Sequence, residues 1–587
     1  MKKRRTQASH PWLRWLDTLE DRFVAAIIGS VALVVFFTGL GGGFQGDDTF
    51  QIVDNLPVHS LQNLPYYFKS STFFNGQHLV GSFYRPMMTT TFALIYELAE
   101  AAPVAYHLVQ LLLIAGAAFV LHLFLKQFMR PALALGLALI FLVHPINSQA
   151  AFAIPSMQEP LFFLSGMLAL LVLSRSSGWK GLVVAAGLLL FSLFSKETAV
   201  LFVLVALLYL LLFDKRRRLL QFAAMLVVPV ALYLYLRINA VGLLGENTNA
   251  APISQLDLAG RLLTMPSILQ FYLTKFLFPA ELATGYYWVH TSFGVREVLL
   301  PLLAWLALIA LLVRLGVAVR AGLPTKQFKA YLFFAAWAGV GLVLHLHFVP
   351  LDMTACETWF YFSSAGVLGM LGVASALLRL KIDPRYVVGG FAVLIAILGV
   401  RTAIRGLDYQ SQYTLGMHDI AVVPDHYFAM NNVAQALIGK KEYAAAQEYA
   451  QRSINLHPTA TNYTNLGVAL QMQNDYPGAK RAYEKALEYG SLNIIYENLG
   501  ILAVSYGEPQ ENVAYLRRAL KEYPQSYKLW IYLAIQESVN GNREEARKAI
   551  TKAADHGPVP AQLHRAITKG EPYAMKLPHS GKQIIVQ

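Results

Sequence analysis

The chain of 587 residues is 56% hydrophobic and only 14% charged, with a mean hydropathy of +0.44. Soluble proteins carry roughly a quarter charged residues, so a wholly soluble chain is excluded and most of this one must face lipid or a large buried core. The net charge of +13 gathers in clusters between apolar runs, which marks membrane topology rather than a nucleic-acid surface. The single cysteine, Cys356, rules out an internal disulfide.

At the N-terminus, Lys2-Lys3-Arg4-Arg5 precede an apolar run from Phe23 to Leu40. No small-residue cleavage pattern follows beyond the weak Gly41-Gly42-Gly43, which predicts an uncleaved first helix with a cytoplasmic N-terminus. A bilayer crossing takes about 20 largely apolar residues. By that rule spans are expected near 23–41, 104–125, 131–144, 160–174, 181–195, 198–213, 219–240, 297–313, 330–349, 359–378 and 386–404, eleven in all. Basic residues follow alternate spans: Lys126 and Arg130, Arg175 and Lys180, Lys215 to Arg218, Arg314 to Lys329, and Arg379, Lys381 and Arg385. They share one side only if 259–280, which holds Arg261, Pro266, Lys275 and Pro279, does not cross. That segment is expected to lie re-entrant or on the outer surface.

The same topology brings Asp47, Asp48, Arg85, His144, Lys196, Glu197, Arg237, His345, His347 and Glu357 to the outer face. Charge at a membrane edge is costly unless used, so this convergence points to a site.

After Arg405 the composition turns polar. From 425 to 568 the chain repeats every 33–34 residues or so. Asn432-x-Ala434-x-x-Leu437 is echoed by Asn465-Leu466-Gly467-x-Ala469-Leu470, Asn498-Leu499-Gly500 and Tyr532-Leu533-Ala534, with prolines closing the units. This is the tetratricopeptide pattern of paired helices, whose concave face takes a peptide or protein partner. The expected plan is therefore all-α: a membrane domain over 1–405 with its first outer loop at 42–103, a linker over 406–424, the repeats over 425–568, and a loosely ordered tail over 569–587.

These features together resemble the transmembrane-and-tetratricopeptide-repeat O-mannosyltransferases, a family of the GT-C superfamily. The resemblance rests on Asp47-Asp48 with Gln51-Ile52 and Asn55, Tyr84-Arg85-Pro86, Tyr106-His107-Leu108, His144-Pro145-Ile146-Asn147, Ser195-Lys196-Glu197, Glu357 before Tyr361, and the C-terminal repeats. It implies a GT-C membrane core, an acidic residue of the first loop as catalytic base, a polyprenyl-phosphate sugar as donor and inversion at the sugar. It also implies a protein acceptor outside the cytoplasm, in a bacterium at the periplasmic face of the inner membrane. Three positions depart from the family pattern and bear on donor and acceptor. Thr358 stands where an arginine is usual, His144 to Gln149 replaces a His-x-x-His-x-Glu run, and Pro155 to Glu159 lacks an arginine.

Such a transfer needs a base for the acceptor hydroxyl and cations for the departing phosphate. Asp48 or Asp47 suits the base, with Asp48 favoured; the competing role is helix capping. Arg85 can hold two phosphate oxygens at once, or snorkel at the interface. Lys196 can join it, oriented by Glu197, unless the two form a self-satisfied pair. Tyr84, His144, Glu197, Arg237, His345 and Glu357 are expected as supporting polar lining. His345 and His347 flank a single residue, whereas a helical metal pair prefers a spacing of about four. No metal site is assigned, no resident cofactor is expected, and a divalent metal is left open. His107 is expected to pack within the bundle, and Tyr272, Tyr286, Tyr287 and Trp288 to mark an aromatic belt. Two rival readings are a non-catalytic membrane anchor displaying a repeat scaffold, and a transporter of lipid-linked sugars. The latter calls for an internal repeat that the membrane region lacks.

Overall fold

The computed structural model describes residues 15–72, 83–242, 251–378, 383–506, 509–576 and 583–586. Lys2 to Arg5, Arg379 and Lys381 lie outside the described residues. The architecture is all-α, apart from one short strand pair at the C-terminus.

All eleven apolar segments are helical. Eight helices among the described residues are long and apolar enough to span a bilayer, or nine if a bent pair counts as one span. The bend, of 51°, separates Pro131–Val143 from Pro145–Phe152. It falls at Pro145, which has no backbone N–H to continue the helical ladder. Trp179–Ser195 and Glu197–Phe213 are shorter apolar helices, at the short end of what a crossing takes. The segment at 259–280 forms the helix Leu258–Leu277, which is not among the span-length apolar set.

Side chains pack the bundle tightly. A Cβ on Gly366 would come within 2.6 Å of the Ala338 backbone nitrogen, so Tyr361–Ala374 and Thr325–Leu344 pack at a separation that only glycine permits. Phe124, Phe128, Phe333, Phe334 and Trp337 interlock beside them. At one end of the bundle the basic clusters are knit together. Lys126 pairs with Asp21 and Arg130 with Asp17, while Lys326 Nζ donates to Gln127 O at 3.3 Å and Lys329 Nζ to Leu212 O at 2.7 Å. The expected grouping of those cations at one bundle end is thus present in contacts between them and their neighbours.

The opposite end carries the first loop, which is far from loose. It folds into short turns and the helix Pro86–Ala99, with Ile52, Val58, Tyr67, Met88 and Phe92 forming a small core of their own. Proline at the first helical position pre-sets the backbone for Pro86–Ala99.

Four helix pairs follow: Tyr427–Gly439 with Tyr443–Leu456, Ala460–Met472 with Tyr476–Tyr489, Asn493–Tyr506 with Pro509–Glu522, and Tyr527–Val539 with Arg543–His556. Ala561–Lys569 closes the stack. The 406–424 stretch is helical as well, because Pro384–Asp408 runs on past Arg405 and Gln412–Val422 bridges to the repeats. The final residues differ from the expected loose tail. Strands Tyr573–Lys576 and Gln583–Val586 pair antiparallel, and Val586 is buried against the last repeats. Such a short, single pair leaves almost no periodic signal in sequence.

The turn within each helix pair explains one local weakness. Lys441, Asn474 and Gly541 occupy the same turn in three units, all with positive φ (64°, 66° and 80°). Glycine and asparagine accept that region readily, whereas lysine pays about 1–2 kcal/mol for it. Lys441→Gly should therefore stabilise the first unit by up to about 1 kcal/mol. Hydrogen exchange of the detergent-solubilised chain should slow over 427–456; unchanged or faster exchange would refute the strain argument.

Candidate active site

One cavity of about 630 Å³ joins the first loop, the ends of several membrane helices and the inner side of the repeats. Among the sequence-predicted residues it brings together Asp47, Asp48, Arg85 and Lys196. Glu197 and Tyr84 stand behind Arg85 rather than in the lining.

The two acids differ in setting. Asp48 is buried (2% exposed), and its Oδ2 accepts from Gln45 N–H at 2.8 Å while its own N–H donates to Gln45 O at 3.0 Å. This reciprocal pair closes the turn that leads into Thr49–Val53. Its Oδ1 is buried with no hydrogen-bond partner among the described residues. Burial pushes its carboxyl well above the ordinary 3.8; the Gln45 N–H opposes this and neighbouring Asp47 adds to it. Asp47, by contrast, is exposed within the cavity. The surrounding protein still limits hydration enough to raise its carboxyl above the ordinary value. Arg85 pulls it back down, and Asp352 across the cavity pushes it up.

Arg85 sits at the entry to Pro86–Ala99, where the proline that follows keeps it out of helical geometry. Its Nε donates to Glu197 Oε2 at 3.1 Å, and its guanidinium lies 4.2 Å from the Phe83 ring centroid. The other Glu197 oxygen accepts from Tyr84 N–H at 2.8 Å, while Tyr84 OH donates to Phe68 O. The guanidinium is thus fixed through one of its five N–H donors.

Lys196 and Glu197 do not pair with each other, contrary to one expectation. They fill the sharp junction between the two short helices, and each reaches a separate partner. Lys196 forms a buried ion pair with Glu159, its ammonium 5.4 Å from the Phe162 ring centroid. Glu159 and Asp352 both line the cavity and were missed in sequence. The former signal was available, since an acid at the start of an apolar helix is seldom there without a partner.

The remaining predicted residues serve other contacts. His144 Nε2 meets Phe276 O at 3.0 Å and its Nδ1 accepts from Ile146 N–H, capping the turn that follows the bend. Arg237 Nη1 donates to Gly242 O at 3.1 Å. His345 bonds Gly341 O and stacks on Trp359, so it backs a cavity wall without facing the cavity; His347 bonds Thr354 O. Glu357 is buried, its Oε1 accepting from Ala283 N–H and Tyr286 OH, both at 2.8 Å. None of these five is among the cavity-lining residues. Tyr272 and Tyr286 are buried within the protein instead of forming a belt. His107 packs as expected, bonding Gly42 O at 3.2 Å, and also touches the cavity. Thr358, where an arginine was expected, lies within 3.2 Å of Cys356 Sγ and supplies no cation. Among the described residues no three His, Cys, Asp or Glu side chains cluster as metal ligands.

Fold and cavity together define an integral membrane protein whose polar site is roofed by tetratricopeptide repeats. A tetratricopeptide-repeat family model matches residues 464–527. The chain is similar to the protein O-mannosyl-transferases TMTC3 of Mus musculus (23% identical over 508 residues, 79% of this chain and 54% of that protein) and of Homo sapiens (22% over 559 residues, 85% and 60%). A Caenorhabditis elegans protein O-mannosyl-transferase, F38B6.6, is 30% identical over 154 residues, 25% of this chain and 22% of that protein. The chain thus spans little more than half the length of the first two relatives. Among solved structures, ArnT from Cupriavidus metallidurans bound to undecaprenyl phosphate aligns over 96% of this chain and 97% of its own, with a TM-score of 0.39 and 14% identity.

The Lys196–Glu159 pair sets a stability test. Removing one member leaves a buried unpaired charge, at a cost of about 3–5 kcal/mol. Glu159→Leu should lower the thermal midpoint in detergent sharply, and Glu159→Leu/Lys196→Met should restore most of it. A single variant as stable as the wild type would show the pair to be solvated.

Proposed function

We propose that this protein is a GT-C-type glycosyltransferase that moves a sugar from a polyprenyl-phosphate carrier to a hydroxyl of an acceptor protein. The observation that supports this best is a cavity shared by an exposed carboxylate, Asp47, a fixed guanidinium, Arg85, and a buried lysine, Lys196. Similarity to O-mannosyl-transferases makes polyprenyl-phosphate mannose the first donor to try. With basic ends cytoplasmic, the site and repeats lie outside the cytoplasm.

In this reading the acceptor oxygen attacks the anomeric carbon, and its proton passes to the Asp47 carboxylate. The bond from that carbon to the phosphate oxygen breaks, the electron pair leaving with the phosphate. Arg85, and Lys196 next to it, stabilise the charge that grows there. Asp47 is preferred to Asp48 as the base because, though both line the cavity, Asp47 is the exposed one, whereas Asp48 is buried and uses Oδ2 in closing the Gln45 turn. A carboxyl raised above its ordinary range is the stronger proton acceptor, which holds for both acids and does not separate them.

Solubilised protein with polyprenyl-phosphate mannose and a threonine-containing peptide should yield a mannosylated product. Asp47→Asn should cut the rate at least about a hundredfold, the usual contribution of a general base, and Asp48→Asn should act mainly through stability. Unchanged extracytoplasmic glycans in both variants, alongside a defect on deleting the repeats, would favour the scaffold reading.

The pH profile gives a second test. Activity requires ionised Asp47, so it falls as pH drops through the raised pKa. Asp352 pushes that value up and Arg85 holds it down. Asp352→Asn should therefore move the acid limb to lower pH. A limb unmoved by Asp352→Asn would remove Asp47 from the role.

A further inference from the structure

The first loop and the start of the helix Gln158–Arg175 bring four buried polar atoms to the cavity with no hydrogen-bond partner among the described residues. They are Gln45 Oε1, Asp48 Oδ1, Gln51 Oε1 and Gln158 Oε1. Gln51 is 5% exposed and Gln158 8%, and the transfer step above uses neither. Ile52, next to Gln51, belongs to the same small core as Met157, next to Gln158. The packing that folds the first loop thus also delivers both glutamines to one cavity. Gln45 Nε2 donates to Tyr409 O, which leaves its Oε1 a fixed acceptor. Gln51 and Gln158 have no such side-chain tie among the described residues, so each amide can turn either its oxygen or its NH2 to the cavity. Buried polar atoms of this kind are met by water or by a ligand.

We propose that Gln51 and Gln158 hold the donor's sugar by its ring hydroxyls and determine which sugar is accepted. This rests on the transfer reading only in naming the ligand as a carrier-linked sugar. A hydroxyl both donates and accepts, so it matches an amide in either orientation. It also takes the place of a water at such an atom without loss of hydrogen bonds. A carboxylate only accepts and an ammonium only donates, so neither has that freedom. Gln45 Oε1 offers nothing but an acceptor, and the Asp47 charge in the same cavity repels an anion. The cations do not offset this for the ring, because Lys196 is paired with Glu159 and Arg85 with Glu197, and both serve the phosphate. A neutral, fully hydroxylated ring is therefore favoured over a uronate or an amino sugar. Gln158 falls within Pro155 to Glu159, one of the stretches that depart from the family pattern, so that pattern does not supply the contact.

The test measures binding of mannosyl, glucosyl and galactosyl polyprenyl phosphates, and of bare polyprenyl phosphate, to the full chain in detergent. Gln51→Met and Gln158→Met keep the side-chain length and remove the amide. Each should raise Kd for the best-bound hexosyl lipid about tenfold, the scale of one enclosed hydrogen bond. Kd for the bare lipid should stay unchanged, which also reports that each variant is folded. With the wild-type protein, a donor series lacking one ring hydroxyl at a time should contain two members that bind about tenfold more weakly. One of these should lose nothing further in Gln51→Met, and the other nothing further in Gln158→Met. The matching uronate lipid should bind at least about tenfold more weakly than the hexosyl lipid. Equal losses for hexosyl and bare lipid, no loss in either variant, or a series without a weak member would each overturn the proposal. So would a uronate or amino-sugar lipid that binds more tightly than every neutral one. A hexosyl lipid bound in this way but never consumed would sink the transfer reading and keep this one; transfer with binding blind to both glutamines would do the reverse.

Discussion

The arrangement depends on one buried guanidinium. Arg405, fully buried near the end of Pro384–Asp408, bonds Asp408 Oδ2 at 2.9 Å and Asp419 Oδ1 at 3.0 Å. Asp419, on the bridging helix Gln412–Val422, uses its other oxygen to accept from Thr284 N–H and Oγ1. His418 joins through Asp408 and through Leu282 O. Three separate parts of the chain are thereby tied at one point: the last membrane helix, the bridge to the repeats and the segment around 282–284. Charges this deep are costly to bury and costlier to leave alone, so each part is held in place by the need of the others.

That tie reaches the site through the chain next to it. Tyr409 O accepts from Gln45 Nε2, and Gln412 Oε1 accepts from Gly46 N–H at 3.3 Å. Gly42 lies so close to Tyr409 O that a Cβ would come within 2.9 Å. The turn that presents Asp47 and Asp48 is thus moulded against the residues that dock the repeats. Roof and floor of the cavity cannot be positioned independently, and a displacement of the repeats must be felt at the carboxylates.

Much of this was legible in sequence. The apolar runs gave eleven helices because a lipid-facing segment must satisfy its backbone internally, and the repeats announced themselves by period and small residues. Asp47, Asp48, Arg85 and Lys196 converge because extramembrane polar residues beside apolar runs are seldom idle. What sequence could not supply was pairing. Lys196 and Glu197 are neighbours along the chain, yet their partners, Glu159 and Arg85, come from 37 and 112 positions away. Nor could periodicity show that Asp48 is buried in closing a turn while Asp47 is exposed in the cavity. Adjacent residues on a turn are oriented by its hydrogen bonds, here the reciprocal pair between Gln45 and Asp48. Arg237 and His345 were drawn in by side of the membrane, and His144 and Glu357 by that and by the family resemblance. Each proved to satisfy a neighbouring backbone group, the commonest use of a buried polar side chain.

The two short helices give the charges their depth. Trp179–Ser195 and Glu197–Phe213 meet at Lys196-Glu197, so the junction of two short elements carries a cation and an anion into the packed protein. An apolar turn there would bury more cheaply, since buried ion pairs rarely outdo hydrophobic packing in stability. Pairing each member with a separate helix, Lys196 to Glu159 and Glu197 to Arg85, turns that cost into rigidity. On the cavity wall Arg85 is held by Glu197 behind it, and Lys196 by Glu159, which lines the cavity as well. Cations held in place by such pairs need little reorganisation to meet a charge, which is the condition under which fixed groups stabilise charge best.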